Sequence, residues 1–216
     1  MAVKITSKTG EPRIWSISKA LLFYYSGYFE RVGRLDAFIE GRTNKASFPD
    51  FEPDTFEPFI EFIYYGRYSY KDDLIGALRI RDSAKAWVSG DYLDAVEFKN
   101  LAIRNLYDIY MPSGGGRPKS GIGPDMVDYC CSKTAPRSRL SMFVLSVLLQ
   151  NWHHKDIIHY QKKNGKWNDV WEQHSEFRND LLYFTNQDLK IRGEYMRNLD
   201  FFLERLAIVD ETCRQD

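Results

Sequence analysis

The chain has 216 residues, 44% hydrophobic, 28% charged and 15% aromatic, a composition that excludes disorder over its whole length. Its 30 basic and 30 acidic side chains cancel, and they cancel locally: residues 1–111 hold 15 and 16, residues 112–216 hold 15 and 14. Neither half carries the field expected of a protein that lives on nucleic acid or anionic lipid.

Three cysteines, Cys130, Cys131 and Cys213, are too few for a disulfide framework and odd in number, which points to a reducing, cytoplasmic or nuclear compartment. The N-terminal residues lack the apolar core of a signal peptide, and there is no run of about 18 apolar residues, so no membrane span is expected.

Taken in chain order, residues 3–7 and 13–17 alternate apolar and polar around a Gly-Glu-Pro turn, which predicts a β-hairpin with Ile14 and Trp15 on opposite faces. Ser16 or Ser18 can cap a helix over residues 19–32. Its apolar residues cover more than one face, which predicts burial on two sides. Residues 45–49 suit a strand. Pro53 and Asp54 then open a helix in which Phe56, Phe59, Ile60, Ile63 and Tyr64 follow helical spacing and which Gly66 ends. Residues 74–92 and 95–110 read as two further helices separated near Gly90.

Between Met111 and Pro124 the chain holds five glycines and three prolines with no apolar period, the composition of a flexible connector. It divides a first domain, residues 1–111, from a helical region, residues 124–216, with 112–123 as the link. In that region the patterns predict helices over 125–131, 138–152, 167–184 and 186–205. The last has Leu189, Tyr195, Met196, Leu199, Phe202, Leu203 and Leu206 as core candidates. The core of the first half is expected to include Leu21, Leu22, Phe29, Phe56, Phe59, Ile63, Leu93 and Leu101.

Candidate chemistry is sparse. His153, His154 and His159 lack the spacing that stacks two imidazoles on one helix face, so they read as surface or interface residues. Cys130-Cys131 is adjacent rather than CxxC, and zinc is not expected. The segment from Gly114 to Ser120 lacks the order of a phosphate-binding loop, and no strand leads into it. No Gly-x-Ser-x-Gly elbow occurs, and no carboxylate pair stands out for acid–base work. Arg67, Tyr68, Tyr70 and Lys71 interleave base and ring as a nucleic-acid stacking platform does, but neutral charge favours an exposed loop. These features shift the expectation from enzyme to binding module, with no metal and no cofactor.

Three blocks carry a resemblance. Residues 15–29, WSISKALLFYYSGYF, resemble the opening of a BTB/POZ domain, where a strand feeds a helix. Residues 48–68, FPDFEPDTFEPFIEFIYYGRY, and the helical hairpin within 83–100 resemble later blocks of the same family, in its order and at its spacing. The resemblance covers about residues 13–110 and is similar in flavour to BTB proteins of filamentous fungi. Ser18 stands where the family has histidine, and Tyr65 where it usually has threonine. The chain begins almost at the first strand, so dimerisation by exchange of an N-terminal segment is not expected.

The resemblance implies an α+β fold, a small mainly three-stranded sheet packed on a helix cluster, followed here by an all-helical region. It also implies protein–protein interaction without catalysis, as an adaptor that recruits a cullin ubiquitin-ligase scaffold or as an oligomerising, transcription-linked scaffold. Homo- or hetero-oligomers are open; nucleic acid and membrane are not expected partners. The family's cullin contact often uses a hydrophobic-x-Glu motif, which Phe38-Ile39-Glu40 matches in place, with Tyr65 as a further candidate contact. Phe38 suits an apolar pocket and Glu40 a charged rim. The alternative is that Phe38 and Ile39 cover the core beneath a loop.

Overall fold

The computed structural model describes residues 1–5, 13–34, 43, 45–48, 53–69, 81–111, 118–152, 154, 157–158, 166–188 and 198–205. Three short strands form one sheet in the order β2-β1-β3, with β1 (Ala2–Ile5) between β2 (Arg13–Ser16) and β3 (Lys45–Phe48). The expected hairpin is the antiparallel pair, which places Val3 opposite Trp15 and Lys4 opposite Ile14; β3 runs parallel to β1. The period of two sorts the faces. Val3, Ile5, Ala46 and Phe48 are buried, Ile14 faces outward, and Trp15 meets the Phe56 ring edge-on at 5.4 Å.

The helix expected over 19–32 is two helices, α1 (Lys19–Tyr25) and α2 (Gly27–Arg34). The break is at Ser26, whose backbone is extended (φ −140°, ψ 112°). Its hydroxyl donates to the Leu93 carbonyl at 2.6 Å and accepts from the Phe29 amide at 3.3 Å, as an N-cap does for a new helix. The Gly27 and Tyr28 amides donate to the Asp94 and Leu93 carbonyls. A turn 67 residues away in sequence therefore supplies the acceptors that would otherwise lie inside one helix.

In α3 (Pro53–Tyr65), Phe56, Phe59, Phe62 and Ile63 are buried. Gly66 ends it at φ +68°, its amide donating to the Phe62 carbonyl at 2.8 Å; this left-handed position suits glycine. The antiparallel helices α4 (Asp82–Tyr92) and α5 (Val96–Tyr110) follow. They cross closely because Gly90 has no side chain. A Cβ there would stand 2.8 Å from Lys99 Cγ and 3.1 Å from Phe98 Cδ1. Of the expected core, Leu22, Phe29, Phe56, Phe59, Ile63 and Leu93 are buried. Leu21 and Leu101 are only half-buried, because each sits one residue off the inward stripe of its helix.

The helical region holds α6 (Pro124–Lys133) and α7 (Arg139–Asn151), close to the expected bounds. Ser138 caps α7, accepting from the Ser141 amide at 3.2 Å. The helix expected over 167–184 divides at His174 into α8 (Lys166–Gln173) and α9 (Ser175–Thr185). The described part of the expected terminal helix is one turn, α10 (Leu199–Phe202), followed by extended Leu203. There Phe202 is buried and Leu199 and Leu203 are half-buried; Leu189, Tyr195, Met196 and Leu206 lie outside the described residues.

Residues 118–123, which composition assigns to the connector, are packed. The Lys119 amide donates to the Ile109 carbonyl, and the Ile122 amide to the Ile157 carbonyl at 2.7 Å. Ile122 is buried, and Ser120 accepts from the buried Arg81. Tyr107 and Tyr110 of α5 meet Phe143 of α7, so one apolar cluster runs through both halves.

Two substitutions test this packing. Leu22→Asp places a charge at a fully buried site and costs at least about 3 kcal/mol, unfolding the first half; a urea melt superimposable on the wild type's refutes it. Gly90→Leu forces α4 from α5 and costs roughly 1–3 kcal/mol, read as a lowered urea midpoint at unchanged slope.

Candidate functional site

The first half presents aromatic side chains to solvent where α1 and α3 lie side by side. Core-facing Phe59, Phe62 and Ile63 turn inward, and the last turn of α3 carries Tyr64 and Tyr65 past the core before Gly66 stops the helix. Tyr65 is 76% exposed, and Tyr24 on α1 is 75% exposed. Between them the surface is graded. Tyr24 meets Tyr25 edge-on at 4.8 Å, Tyr25 meets buried Phe62 at 5.2 Å, and Tyr65 stands one turn beyond Phe62. Rings seated on a rigid base and open on the other side suit an interface anchor, which gains by burying area rather than by chemistry.

This arrangement corrects one expectation. Among the described residues α1 is not buried on two sides, because Leu22 is its one fully buried residue. The apolar pattern overstated the burial, and the outward side is left to Tyr24. Tyr24 was not singled out from the sequence; its signal was the excess of apolar residues over what one buried face needs. Phe38, Ile39 and Glu40 lie outside the described residues, as do Tyr70 and Lys71. Tyr68 is buried with its hydroxyl on Ser83 Oγ at 3.1 Å, so it is a core side chain and offers no face to a base.

In the helical region, His154 is exposed, while His153, His159 and Cys213 lie outside the described residues. His174 was passed over in sequence because its partner is distant: its Nε2 lies 2.8 Å from Asp128 Oδ1, tying the α8–α9 joint to α6. Nearby is a cleft of about 270 Å³ with Cys131, Met142, Leu145 and Phe177 among its walls. Its rim is closed by a two-bonded pair in which Arg137 donates to both Asp180 oxygens, at 3.1 and 2.8 Å. Cys130 is fully buried, and burial pushes its thiol up; burial, then the Asp128 charge, pushes Cys131 from an ordinary 9.0 to about 12. Neither is an activated nucleophile. Among the described residues, no three of His, Cys, Asp and Glu group to hold a metal, and no helix is long and apolar enough to cross a membrane.

Residues 5–83 match the family model of the BTB/POZ domain. A search of the curated proteins found no match to the chain. The sheet-and-helix architecture described above agrees with that family's α+β fold followed by further helices. The chain therefore carries a BTB/POZ domain, a protein–protein interaction module.

Buried Cys130 and half-buried Cys131 give a direct test. At pH 8 a thiol held near 12 is ionised to only about one part in ten thousand, so a Cys213→Ser variant should react with Ellman's reagent only after unfolding in guanidinium. Rapid titration of a thiol in the native protein refutes the burial of Cys130 and the suppressed ionisation of half-buried Cys131. Tyr129 is likewise pushed from 10.0 to about 12, mainly by burial. Both groups stabilise the fold while protonated. That contribution is whole below about pH 9 and fades as pH climbs toward 12, which a thermal melt series at rising pH will read.

Proposed function

On the premise that residues 5–83 are a BTB/POZ domain, we propose that the chain is a non-catalytic adaptor whose first half recruits a cullin scaffold through Phe38, Glu40 and Tyr65. The single observation that supports it is the exposed aromatic surface ending in Tyr65 and Tyr24, seated on the buried Phe62. Large rings of this kind are the side chains that dominate interface energetics when a partner excludes water from them. Phe38 and Glu40 enter through the family's hydrophobic-x-Glu contact motif alone. In this reading the division is a BTB/POZ domain over 1–111, a connector over 112–123, and a helical region over 124–216 that carries the second partner. The adaptor works in the cytoplasm or the nucleus and needs no cofactor.

The test is a calorimetric titration of the full chain against the N-terminal domain of a fungal cullin. Saturable binding is expected, weakened about tenfold or more by Glu40→Lys and by Tyr65→Ala, which removes an exposed ring and leaves the melting temperature unchanged. No binding at several hundred micromolar overturns the cullin reading. Sedimentation of the chain alone then decides whether it is a self-associating scaffold.

A further inference from the structure

The last described segment, residues 198–205, is the single turn α10 followed by extended Leu203, and it packs against α5 and α7. One side chain, Phe202, enters the groove between α5 and α7, is fully buried, and meets the Phe143 ring edge-on at 5.3 Å. Two residues on, Asn100 of α5 grips the main chain of Glu204 from both sides. Its amide nitrogen donates to the Glu204 carbonyl at 2.9 Å, and its oxygen accepts from the Glu204 amide at 2.8 Å. This bond pair reads main chain irrespective of side chain. Beside it, Lys99 Nζ lies 2.6 Å from Glu204 Oε2. At the near end, Arg139 of α7 donates to the Phe201 carbonyl at 2.8 Å.

The groove has its own demand for this ligand chemistry. The Lys99 side chain is only 6% exposed, and with Glu204 removed its remaining carboxylate is Asp91 at 3.0 Å. Its ammonium also faces the Trp87 ring at 5.3 Å, a contact that does not neutralise it. A vacated groove therefore leaves an apolar pocket, an Asn100 amide without its two main-chain partners and a Lys99 that has lost one of its two carboxylates. We propose that the α5/α7 groove is a docking site for a Phe-x-Glu segment of a protein partner, held closed in this chain by Phe202 and Glu204. The surface lies beyond residue 83, outside the matched domain, and does not rest on the cullin reading.

The occupant in cis competes at the high effective concentration of a tethered segment, so a partner binds in proportion to how often the segment releases. The probe is a fluorescein-labelled peptide of residues 198–205, read by fluorescence anisotropy against the full chain. Wild type is expected to bind weakly. Glu204→Ala, which leaves Phe202 seated, should tighten binding about threefold or more, and Phe202→Ala with Glu204→Ala about tenfold or more. Adding Asn100→Ala to the released variant, or replacing the peptide's own Phe202 by Ala, should abolish it.

Circular dichroism melts report folding throughout. A Glu204→Ala chain that stays folded and binds the peptide no better than wild type overturns the proposal, even if the double variant unfolds. A wild-type dimer in light scattering that Phe202→Ala dissolves also overturns it, because the groove then belongs to a second copy.

Discussion

Asp94 sits at φ 52° in the turn between α4 and α5, and two carbonyls of that turn face outward from the hairpin. Those of Leu93 and Asp94 accept from the Tyr28 and Gly27 amides, and Leu93 also accepts the Ser26 hydroxyl. The Asp94 carboxylate receives Arg31 at 2.6 Å. This turn fixes where α1 stops and where α2 starts, and so fixes the angle at which Phe29 enters the core. The bond that matters most is buried: Ser26 Oγ gives the Leu93 carbonyl a second and shorter bond beside that from the Tyr28 amide. Arg31 with Asp94 is exposed and contributes little beyond orientation.

The same hairpin carries the second half. Gly90 lets α4 and α5 approach until the Lys99 stem lies against the glycine, and this brings the Lys99 ammonium over Trp87. Farther along α5, Tyr107 and Tyr110 point to Phe143. One helix thus has a turn that organises the BTB/POZ core at one end and a platform for the helical region at the other. A disturbance of α5 is felt by both halves, because their apolar clusters are continuous through it.

The legible parts of the fold are those whose cause is local. The strand alternation of Val3 and Ile5, the Pro53–Asp54 helix start, the Gly66 stop and the Ser138 cap of α7 each depend on neighbours within four residues. The parts that escaped depend on distant partners. Ser26 interrupts an apolar run that looks helical, and only Leu93 explains it. His174 divides a helix beside Asp128, 46 residues away. Residues 118–123 read as a loose link because glycine and proline carry no apolar signal, yet Ile122 finds Ile157 and Ile158. For the site, Tyr65 entered as a candidate contact through the family resemblance alone, and its exposure is a finding of the structure. Tyr24 and Asn100 were not legible, because exposure and a main-chain grip leave no pattern in sequence.

Charge decides what kind of recognition such a chain can use. Thirty basic and thirty acidic residues, balanced in each half, give no long-range field to draw a partner in. Encounter rates are then ordinary, and affinity has to come from slow release. Slow release needs side chains that lose water completely on binding. The chain holds such side chains in two places: exposed rings on a buried aromatic base at α1 and α3, and, at α5 and α7, a pocket that its own Phe202 fills beside a buried lysine. Ionic strength acts weakly on both. Rings carry no charge, and Lys99 is largely shielded from mobile ions. Salt that strips steering-driven complexes apart leaves partners of this chain in place, which separates aromatic anchoring from electrostatic capture in a single measurement.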